Sequence, residues 1–267
     1  MSESRLGVIG AGNMGWAILR AVLTNWQMPS EAIVVAEPDQ ARHRQLAGSA
    51  IRLTTDNREA AACPRVLLAV KPQVMAGVLE EIAPAVQPDA LIVSVAAGWS
   101  TASIDRLLGG KGRLVRVMPN TPMLVGEGMS AIAAGPRATP EDMDWVERIF
   151  GSGGKTCRVD ESQMDAVTAV SGSGPAYVFY LAEAMIAAGV AEGLDERTAN
   201  LLARATIAGA GKMLMNSSDA PADLRHRVTS PGGTTQAAIR SMDEHGVGEA
   251  LVEAIRAAAA RSRELGK

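Results

Sequence analysis

Short apolar runs alternate with longer amphipathic stretches along the first part of the chain, up to about residue 160. Apolar runs of about four to eight residues predict buried strands, and the stretches between them repeat every ~3.6 residues, as helices do. The predicted strands are residues 5–9, 32–37, 65–70, 90–98, 113–119, 128–135 and 154–161. Strands that alternate with helices build a mainly parallel sheet covered on both faces, so this part is predicted to be a doubly wound α/β domain.

The pattern changes after about residue 162, beyond which no strand-like alternation remains. The predicted helices are residues 171–194, which open with a turn, and then 196–216, 221–228, 235–246 and 247–265. We expect Asp195 to cap the second of them. The sequence therefore predicts two domains, residues 1–161 with the sheet and residues 162–267 all helical.

Small residues are frequent on the predicted helices of the second domain, as in "ATIAGAGKML" at 205–214. A domain of about 100 residues cannot easily bury so much apolar helix by itself. We expect part of this surface to pack against a second subunit, as a dimer. A tightly packed monomeric bundle is the alternative.

Composition and charge narrow the range of partners. The net charge of −3 and the pI near 5.7 argue against binding to nucleic acid or to an anionic membrane. The sequence lacks a run of about 20 apolar residues and a signal-peptide pattern, so we expect a cytoplasmic protein. Two cysteines, Cys63 and Cys157, and three histidines lack metal-binding spacing, and we predict no metal site.

A glycine-rich turn joins the first predicted strand to the first predicted helix. The stretch "GAGNMG" places Gly10, Gly12 and Gly15 in the G-x-G-x-x-G spacing. The first glycine permits a tight turn, the second lets a pyrophosphate approach the backbone, and the third lets helix and strand pack closely. This arrangement is typical of a Rossmann-type dinucleotide-binding domain, so we predict NADH or NADPH as the cofactor.

The end of the second predicted strand bears on the choice between the two cofactors. Glu37 lies where an acidic side chain would hydrogen-bond the 2′-hydroxyl of the adenosine ribose, and its carboxylate would repel a 2′-phosphate. Arg42 and Arg44 open the next helix and would attract that phosphate. A solvated turn and helix start is a third interpretation, so the preference stays open.

Ligands of a doubly wound sheet bind beyond the carboxyl ends of its strands. Three predicted strands end there in polar or small residues, at 70–72, 96–98 and 119–122. Lys71 and Asn120 are candidates to contact the ribose or the nicotinamide. A role in a turn or a cap is an equally good interpretation of either residue.

A second glycine-rich turn, "SPGGTT" at 230–235, opens a predicted helix in the helical domain. Such a turn is an anion-binding arrangement. The sequence shows no Ser-His-Asp set and no candidate general-base histidine. Hydride transfer to an already protonated imine needs less acid–base machinery than transfer to a ketone. We therefore predict an oxidoreductase in which this turn holds an anion.

Five motifs resemble those of one enzyme family over nearly the whole chain. "GAGNMG", "AVKP", "MPNTP", "DAVTAVSGSGPAY" and "VTSPGGTT" occur in this order in pyrroline-5-carboxylate reductases. The resemblance implies reduction of 1-pyrroline-5-carboxylate to L-proline with NADPH or NADH, the last step of proline biosynthesis. It also implies a helical domain that forms an intertwined dimer, often assembled further into a decamer.

The resemblance also implies roles for individual residues. Cofactor binding would fall to Gly10, Gly12, Asn13, Met14, Gly15, Asn57, Ala69, Val70, Lys71, Pro72, Ala97 and Asn120. Substrate binding would fall to Ser171, Gly172, Ser230, Gly233, Thr234 and Thr235, and the pocket-shaping loop would run from Ser171 to Pro175. The Thr235 hydroxyl would be the catalytic group near the ring nitrogen, with capping of its own helix as the alternative. Glu37 departs from many members, in which a small polar or basic residue meets the 2′-phosphate.

Two other functions are alternatives to imine reduction. A β-hydroxyacid dehydrogenase has a similar domain order, but its expected catalytic lysine is missing from "GSGPAYVFYLAEAMIAAG". A non-catalytic dinucleotide sensor or proline-binding protein is the other. The intact "TSPGGTT" turn argues against it, because a sensor has no need of a carboxylate-binding turn.

Overall fold

The structure is a computed structural model that describes residues 5–46 and 50–266. Its strands are β1 (Leu6–Ile9), β2 (Ile33–Ala36), β3 (Arg52–Thr54), β4 (Arg65–Leu68), β5 (Leu91–Ser94), β6 (Arg113–Met118), β7 (Gly128–Ala134) and β8 (Gly154–Arg158). They form one eight-stranded sheet in the order β3-β2-β1-β4-β5-β6-β7-β8. Only the β6–β7 pair is antiparallel among the described strands.

A helix follows most of the strands, and the described elements after β8 are all helical. Those of the sheet region are α1 (Asn13–Ala21), α2 (Gln40–Leu46), α3 (Asn57–Ala61), α4 (Met75–Ile82), α5 (Thr101–Leu107) and α6 (Pro140–Gly151). Those that follow are α7 (Met164–Val167), α8 (Gly174–Ala191), α9 (Glu196–Asn216), α10 (Pro221–Arg227), α11 (Thr234–Glu244) and α12 (Val247–Leu265). In the described part of the chain no strand follows β8, as the sequence predicts.

Two apolar cores cover the two faces of the sheet. Along β1, Leu6 and Val8 belong to the core that includes Phe150 of α6, whereas Ile9 belongs to the core that includes Leu79 of α4. Successive side chains of a strand point to opposite faces. Both faces are therefore buried, which confirms the predicted doubly wound fold.

The sequence pattern misses β3 and α3. β3 has three residues and none of them is buried, so it carries no apolar run. It pairs in parallel with β2 and forms one edge of the sheet. A short, half-exposed edge strand has too little periodicity to be recognised.

The described chain divides into two compact units. One contains the residues up to Ser173 together with those from Ala258 onward, and the other is Gly174–Ala257. The boundary predicted from the sequence between residues 161 and 162 stays a prediction.

The helical unit leaves much apolar surface exposed. α8 buries none of its residues, and Phe179, Tyr180 and Leu201 are 62%, 74% and 68% exposed. α8 and α9 approach closely, since a Cβ on Gly189 would lie 3.2 Å from the Cβ of Ala199. By length and composition alone, the helical stretch 161–191 would also suffice to cross a membrane. A surface of this kind marks an interaction site.

Candidate cofactor and substrate site

The turn after β1 is shaped by packing at two of its three glycines. Gly10 has a φ of +92°, and a Cβ on it would lie 2.8 Å from the carbonyl oxygen of Ala69. A Cβ on Gly15 would lie 2.2 Å from the carbonyl oxygen of Gly10. A Cβ on Gly12 would meet no atom within 4 Å. Protein packing thus explains the first and third glycines, and the open space at Gly12 fits a ligand that approaches the backbone.

The amino end of α1 supplies donors to that open space. Gly12 is the N-cap residue of α1, and it has no side chain that could accept from the first N–H groups of the helix. Within the described residues, the backbone N–H groups of 12–15 donate to no protein acceptor. Asn13 is exposed and Met14 half-buried beside them. Donors at a helix start favour an anion such as a pyrophosphate.

Glu37 is buried beside the same turn, with 8% of its surface exposed. One carboxylate oxygen accepts from the N–H of Ala11 at 2.6 Å, and the other accepts from the N–H of Asp39 at 3.0 Å. The side chain is therefore part of the turn's own structure. The interpretation of residues 37–44 as a merely solvated turn and helix start is wrong for Glu37.

The two arginines of α2 lie in different surroundings. Arg42 is half-buried and donates to Oδ1 of Asn13 at 3.2 Å, so it reaches the glycine-rich turn. Arg44 is exposed. Between them, a ring nitrogen of His43 lies 2.6 Å from the Glu37 carbonyl oxygen. A cation and a carboxylate thus flank the same turn.

The carboxyl ends of β4 and β5 meet next to this turn. Ala69 donates its N–H to the carbonyl of Ile9 at 2.9 Å. The Trp99 indole donates to the Pro72 carbonyl at 3.0 Å and ties the two strand ends together. Ala97 and Val70 are half-buried there. This is the part of a doubly wound sheet where the strand order reverses and ligands bind.

Lys71 and Asn57, both near this edge of the sheet, differ in whether their side chains already have a hydrogen-bond partner. Lys71 is exposed, and within the described residues its ammonium group has no hydrogen-bond or ion-pair partner. Asn57, at the first position of α3, donates to Glu81 at 2.8 Å. Its amide nitrogen is therefore already engaged, whereas Lys71 can reach a ligand.

Asn120 has a structural role in addition to any contact with a ligand. Its side-chain oxygen accepts from the N–H of Met129 at 2.8 Å, and its amide nitrogen lies 3.3 Å from the Ser171 carbonyl. Residues 168–172 form a π-helical turn, and a Cβ on Gly172 would lie 2.4 Å from the Met118 methyl carbon. The structure thus brings Asn120, Ser171 and Gly172 together. π-helical turns occur often at functional sites.

The Ser230–Thr235 turn lies in the helical unit. Gly232 has a φ of +71°, and Gly233 is the N-cap of α11 without a side-chain cap. Two hydrogen bonds close the turn. The Gly233 N–H donates to the Ser230 carbonyl at 3.0 Å, and the Gly232 N–H donates to the side-chain oxygen of Gln236 at 2.7 Å. Its glycines thus serve the turn itself.

The start of α11 leaves its donors available. Within the described residues, the N–H groups of Thr234, Thr235 and Gln236 have no acceptor, and neither threonine hydroxyl makes a hydrogen bond. Thr235 stands second in the helix, behind the N-cap Gly233, so capping of its own helix is wrong as its role. Three amides and one half-buried hydroxyl suit a carboxylate and a polar ring atom.

A half-buried carboxylate that the sequence did not reveal supports the segment after β5. Glu161 accepts from the N–H and the hydroxyl of Thr101 at 2.7 and 2.5 Å, and it lies 3.5 Å from the buried Arg116. It stands 60 residues from Thr101 along the chain. No spacing rule connects residues so far apart, so only the fold could reveal the contact.

Neither cysteine has metal ligands around it. Among the described residues, no cluster of His, Cys, Asp or Glu could hold a metal ion. Burial raises the pKa of the Cys63 thiol. Cys157 is only half-buried. Its side chain lines a cleft of apolar side chains with Met129 and Val170.

Comparison with known proteins gives one match in the sheet region and one in the helical region. A family model described as "NADP oxidoreductase coenzyme F420-dependent" matches residues 5–98, and one described as "Pyrroline-5-carboxylate reductase dimerisation" matches residues 161–265. A curated pyrroline-5-carboxylate reductase of Pseudomonas aeruginosa is 43% identical over 99% of this chain and 98% of its own length.

Solved structures give the same result. The pyrroline-5-carboxylate reductase of Coxiella burnetii has a TM-score of 0.91 at 34% identity, over 99% of both chains. That of Plasmodium falciparum, solved with NADP bound, has a TM-score of 0.89 at 30% identity, over all of both chains.

The fold and the glycine-rich turn therefore define an NAD(P)-dependent oxidoreductase with a Rossmann-type domain followed by a helical domain. Within that class, the chain belongs to the pyrroline-5-carboxylate reductase family. The interpretation as a β-hydroxyacid dehydrogenase is wrong.

Proposed function

We propose that the chain reduces the C=N bond of 1-pyrroline-5-carboxylate to give L-proline, with NADPH or NADH, as the final step of proline biosynthesis. The full-length identity to curated members of the family carries this proposal. The relatives' name states the substrate, and the two helix starts described above suit a pyrophosphate and a small carboxylate.

The cofactor would bind along the carboxyl ends of β1, β4 and β5. The N–H groups of residues 12–15 would hold its pyrophosphate, and Glu37 would face its adenosine ribose. The other residues proposed to bind it are Asn13, Met14, Asn57, Ala69, Val70, Lys71, Pro72, Ala97 and Asn120. When bound, the reduced nicotinamide supplies a hydride.

The substrate would be held through its carboxylate. The N–H groups of Thr234 and Thr235 would bind that anion, with Ser230 and Gly233 in the same turn. Ser171 and Gly172 are the other residues proposed to bind the substrate. A fixed carboxylate orients the ring toward the hydride, and orientation of this kind is worth several kcal/mol of barrier, roughly.

Thr235 is the proposed catalytic residue. The imine carbon gains the hydride, and the nitrogen carries the proton of the iminium into the product amine. The Thr235 hydroxyl would hydrogen-bond that nitrogen and stabilise its developing lone pair. A hydroxyl is sufficient because the electrophile arrives already protonated, so no stronger acid is required.

The helical unit is proposed to form a dimer, with assembly to a decamer as a further step. The apolar side chains that α8 and α9 expose support the first part, because a second copy would cover them. We also propose that the enzyme is cytoplasmic and acts without membrane or nucleic acid, since residues 161–191 fall within the region that the dimerisation model matches. Light scattering during size exclusion measures the assembly size.

Turnover with purified imino acid tests the proposal. The expected result is loss of the near-ultraviolet absorbance of the reduced nicotinamide, with one L-proline formed per cofactor oxidised. Cofactor binding without turnover would support the sensor instead. Oxidation of a 3-hydroxy acid in place of imine reduction would contradict the proposed reaction.

A further inference from the structure

The turn after β5 is covered by the last residues of α12. Gly98 is buried with a φ of +78°, and a Cβ on it would lie 2.9 Å from the carbonyl carbon and from the Cβ of Leu265. A Cβ on Gly266 would lie 2.5 Å from the Gly98 carbonyl oxygen. Both glycines leave no room for a side chain at this contact. The turn and the end of α12 are thus in direct backbone contact.

A buried hydrogen bond fixes the end of α12 one turn earlier. Ser262 is 3% exposed, although the residues on either side of it are exposed. Its hydroxyl donates to Oδ1 of Asp165 at 2.6 Å. Residues from Ala258 onward belong to the same compact unit as the sheet. The contact with Gly98 is therefore anchored within that unit.

The covered turn is also tied to the carboxyl edge of the sheet. Trp99 donates to the Pro72 carbonyl in the segment after β4, and Thr101 donates to Glu161. Ala97 is half-buried next to Gly98. Three contacts therefore hold this turn: one with the segment after β4, one with Glu161, and one with residues 265–266. Residues 265–266 contact Gly98, which is the neighbour of Ala97 along the chain.

We propose that the end of α12, residues 262–266, is a positioning element for the cofactor-binding turn at Ala97 and Gly98. The proposal rests on the proposed function in that Ala97 contacts the cofactor. Residues 262–266 need not touch the cofactor. They set the position of the turn, and through it the affinity for NADH or NADPH, while leaving the hydride-transfer step to other residues.

The test adds one methyl group at Gly266, far along the chain from the glycine-rich turn. Gly266→Ala pushes on the Gly98 carbonyl, and Ser262→Ala removes the anchoring hydroxyl. We expect the Kd of reduced cofactor, measured by its fluorescence, to rise about fivefold in Gly266→Ala and about twofold in Ser262→Ala. The KM for cofactor should rise in parallel, with kcat at saturating cofactor and the KM for the imino acid nearly unchanged. Arg261→Ala is the matched control, because it removes only a surface ion pair with Glu264 from the same helix turn.

A purely structural role predicts a different pattern. Both variants would then lower Tm and the active fraction of enzyme while leaving the Kd for cofactor at the wild-type value, and that result overturns the proposal. The proposal is also overturned if Arg261→Ala weakens cofactor binding as much as Gly266→Ala does. Because Kd is measured without turnover, failure to reduce the imino acid would contradict the proposed function alone.

Discussion

The two glycine-rich turns of this protein open helices in a similar way but are built differently. In the first, Gly10 and Gly15 are required by backbone atoms of the sheet and of the turn itself. In the second, a Cβ on Gly232 would meet no described atom within 4 Å, and the atoms nearest to one on Gly233 belong to Ser230. The first turn is therefore held by a buried core, and the second by local hydrogen bonds.

This difference shows what each unit supplies by itself. The first turn has walls of buried residues and a positioned carboxylate, Glu37. The second has free donors but lies on an exposed surface, with Thr234 exposed and Thr235 half-buried. Exclusion of water strengthens electrostatic interactions with a substrate. The second turn therefore requires further protein surface, from another part of the chain or from another subunit, before it forms a complete site.

The largest effect is expected from Gly15→Ala, compared with Gly12→Ala. A Cβ at Gly15 would clash with the Gly10 carbonyl at 2.2 Å, whereas one at Gly12 meets no protein atom within 4 Å. Gly15→Ala should lower stability by ~1–3 kcal/mol and kcat/KM about 100-fold. Gly12→Ala should keep the wild-type Tm and weaken cofactor binding only. Thermal unfolding and cofactor fluorescence measure the two quantities. Equal Tm values for both variants would contradict the distinction between packing and ligand glycines.

Thr235→Ala tests the second turn. Among the described residues the hydroxyl has no hydrogen-bond partner, so its loss should leave Tm unchanged and lower kcat/KM for the imino acid by about 10-fold or more. Thr235→Ser keeps the hydroxyl and is the matched control, expected to retain most of the activity. Unchanged kinetics in Thr235→Ala would remove this residue from the mechanism. Steady-state kinetics at saturating cofactor give the answer.

The comparison also explains what could be predicted from the sequence. The first turn is a local motif between a strand and a helix, so spacing alone located Gly10, Gly12 and Gly15. The role of Glu37 in holding Ala11 was not visible, because the two residues meet only through strand pairing. Likewise, Glu161 and Ser262 act through contacts 60 and 97 residues away. Periodicity reports what lies within one element, and it missed β3 because that strand buries too little.

Glu37→Gln sharpens the comparison at the first turn. Glutamine keeps an oxygen for the Ala11 N–H but loses the charge that would repel a 2′-phosphate. We expect the wild type to prefer NADH, and the variant to shift the ratio of kcat/KM values toward NADPH by about fivefold, ~1 kcal/mol. Parallel kinetics with both cofactors measure the ratio. A wild-type preference for NADPH that Glu37→Gln leaves unchanged would assign the selection to Arg42 instead.

The smallest effect concerns helix caps, and it compares the two units again. In the first unit, burial acts to raise the pKa of Asp142, but hydrogen bonds from Arg113 and Thr139 outweigh it and lower that pKa. A depressed folded-state pKa contributes stability above the unfolded value, near pH 4, and that stability is lost as pH falls through the folded-state pKa. Asp142→Asn should thus cost ~0.5–1 kcal/mol at neutral pH, and the difference from wild type should shrink in acid.

Asp195 is the matched residue in the helical unit. Hydrogen bonds from Thr198 lower its pKa as well, but the side chain is exposed at the start of α9. Water replaces a lost partner more readily there, so Asp195→Asn should lower stability less than Asp142→Asn does. Urea unfolding of both variants between about pH 3 and 7 measures the difference. A larger loss in Asp195→Asn would mean that α9 and its cap are buried in the folded assembly, and it would place the subunit contact at this end of the helix.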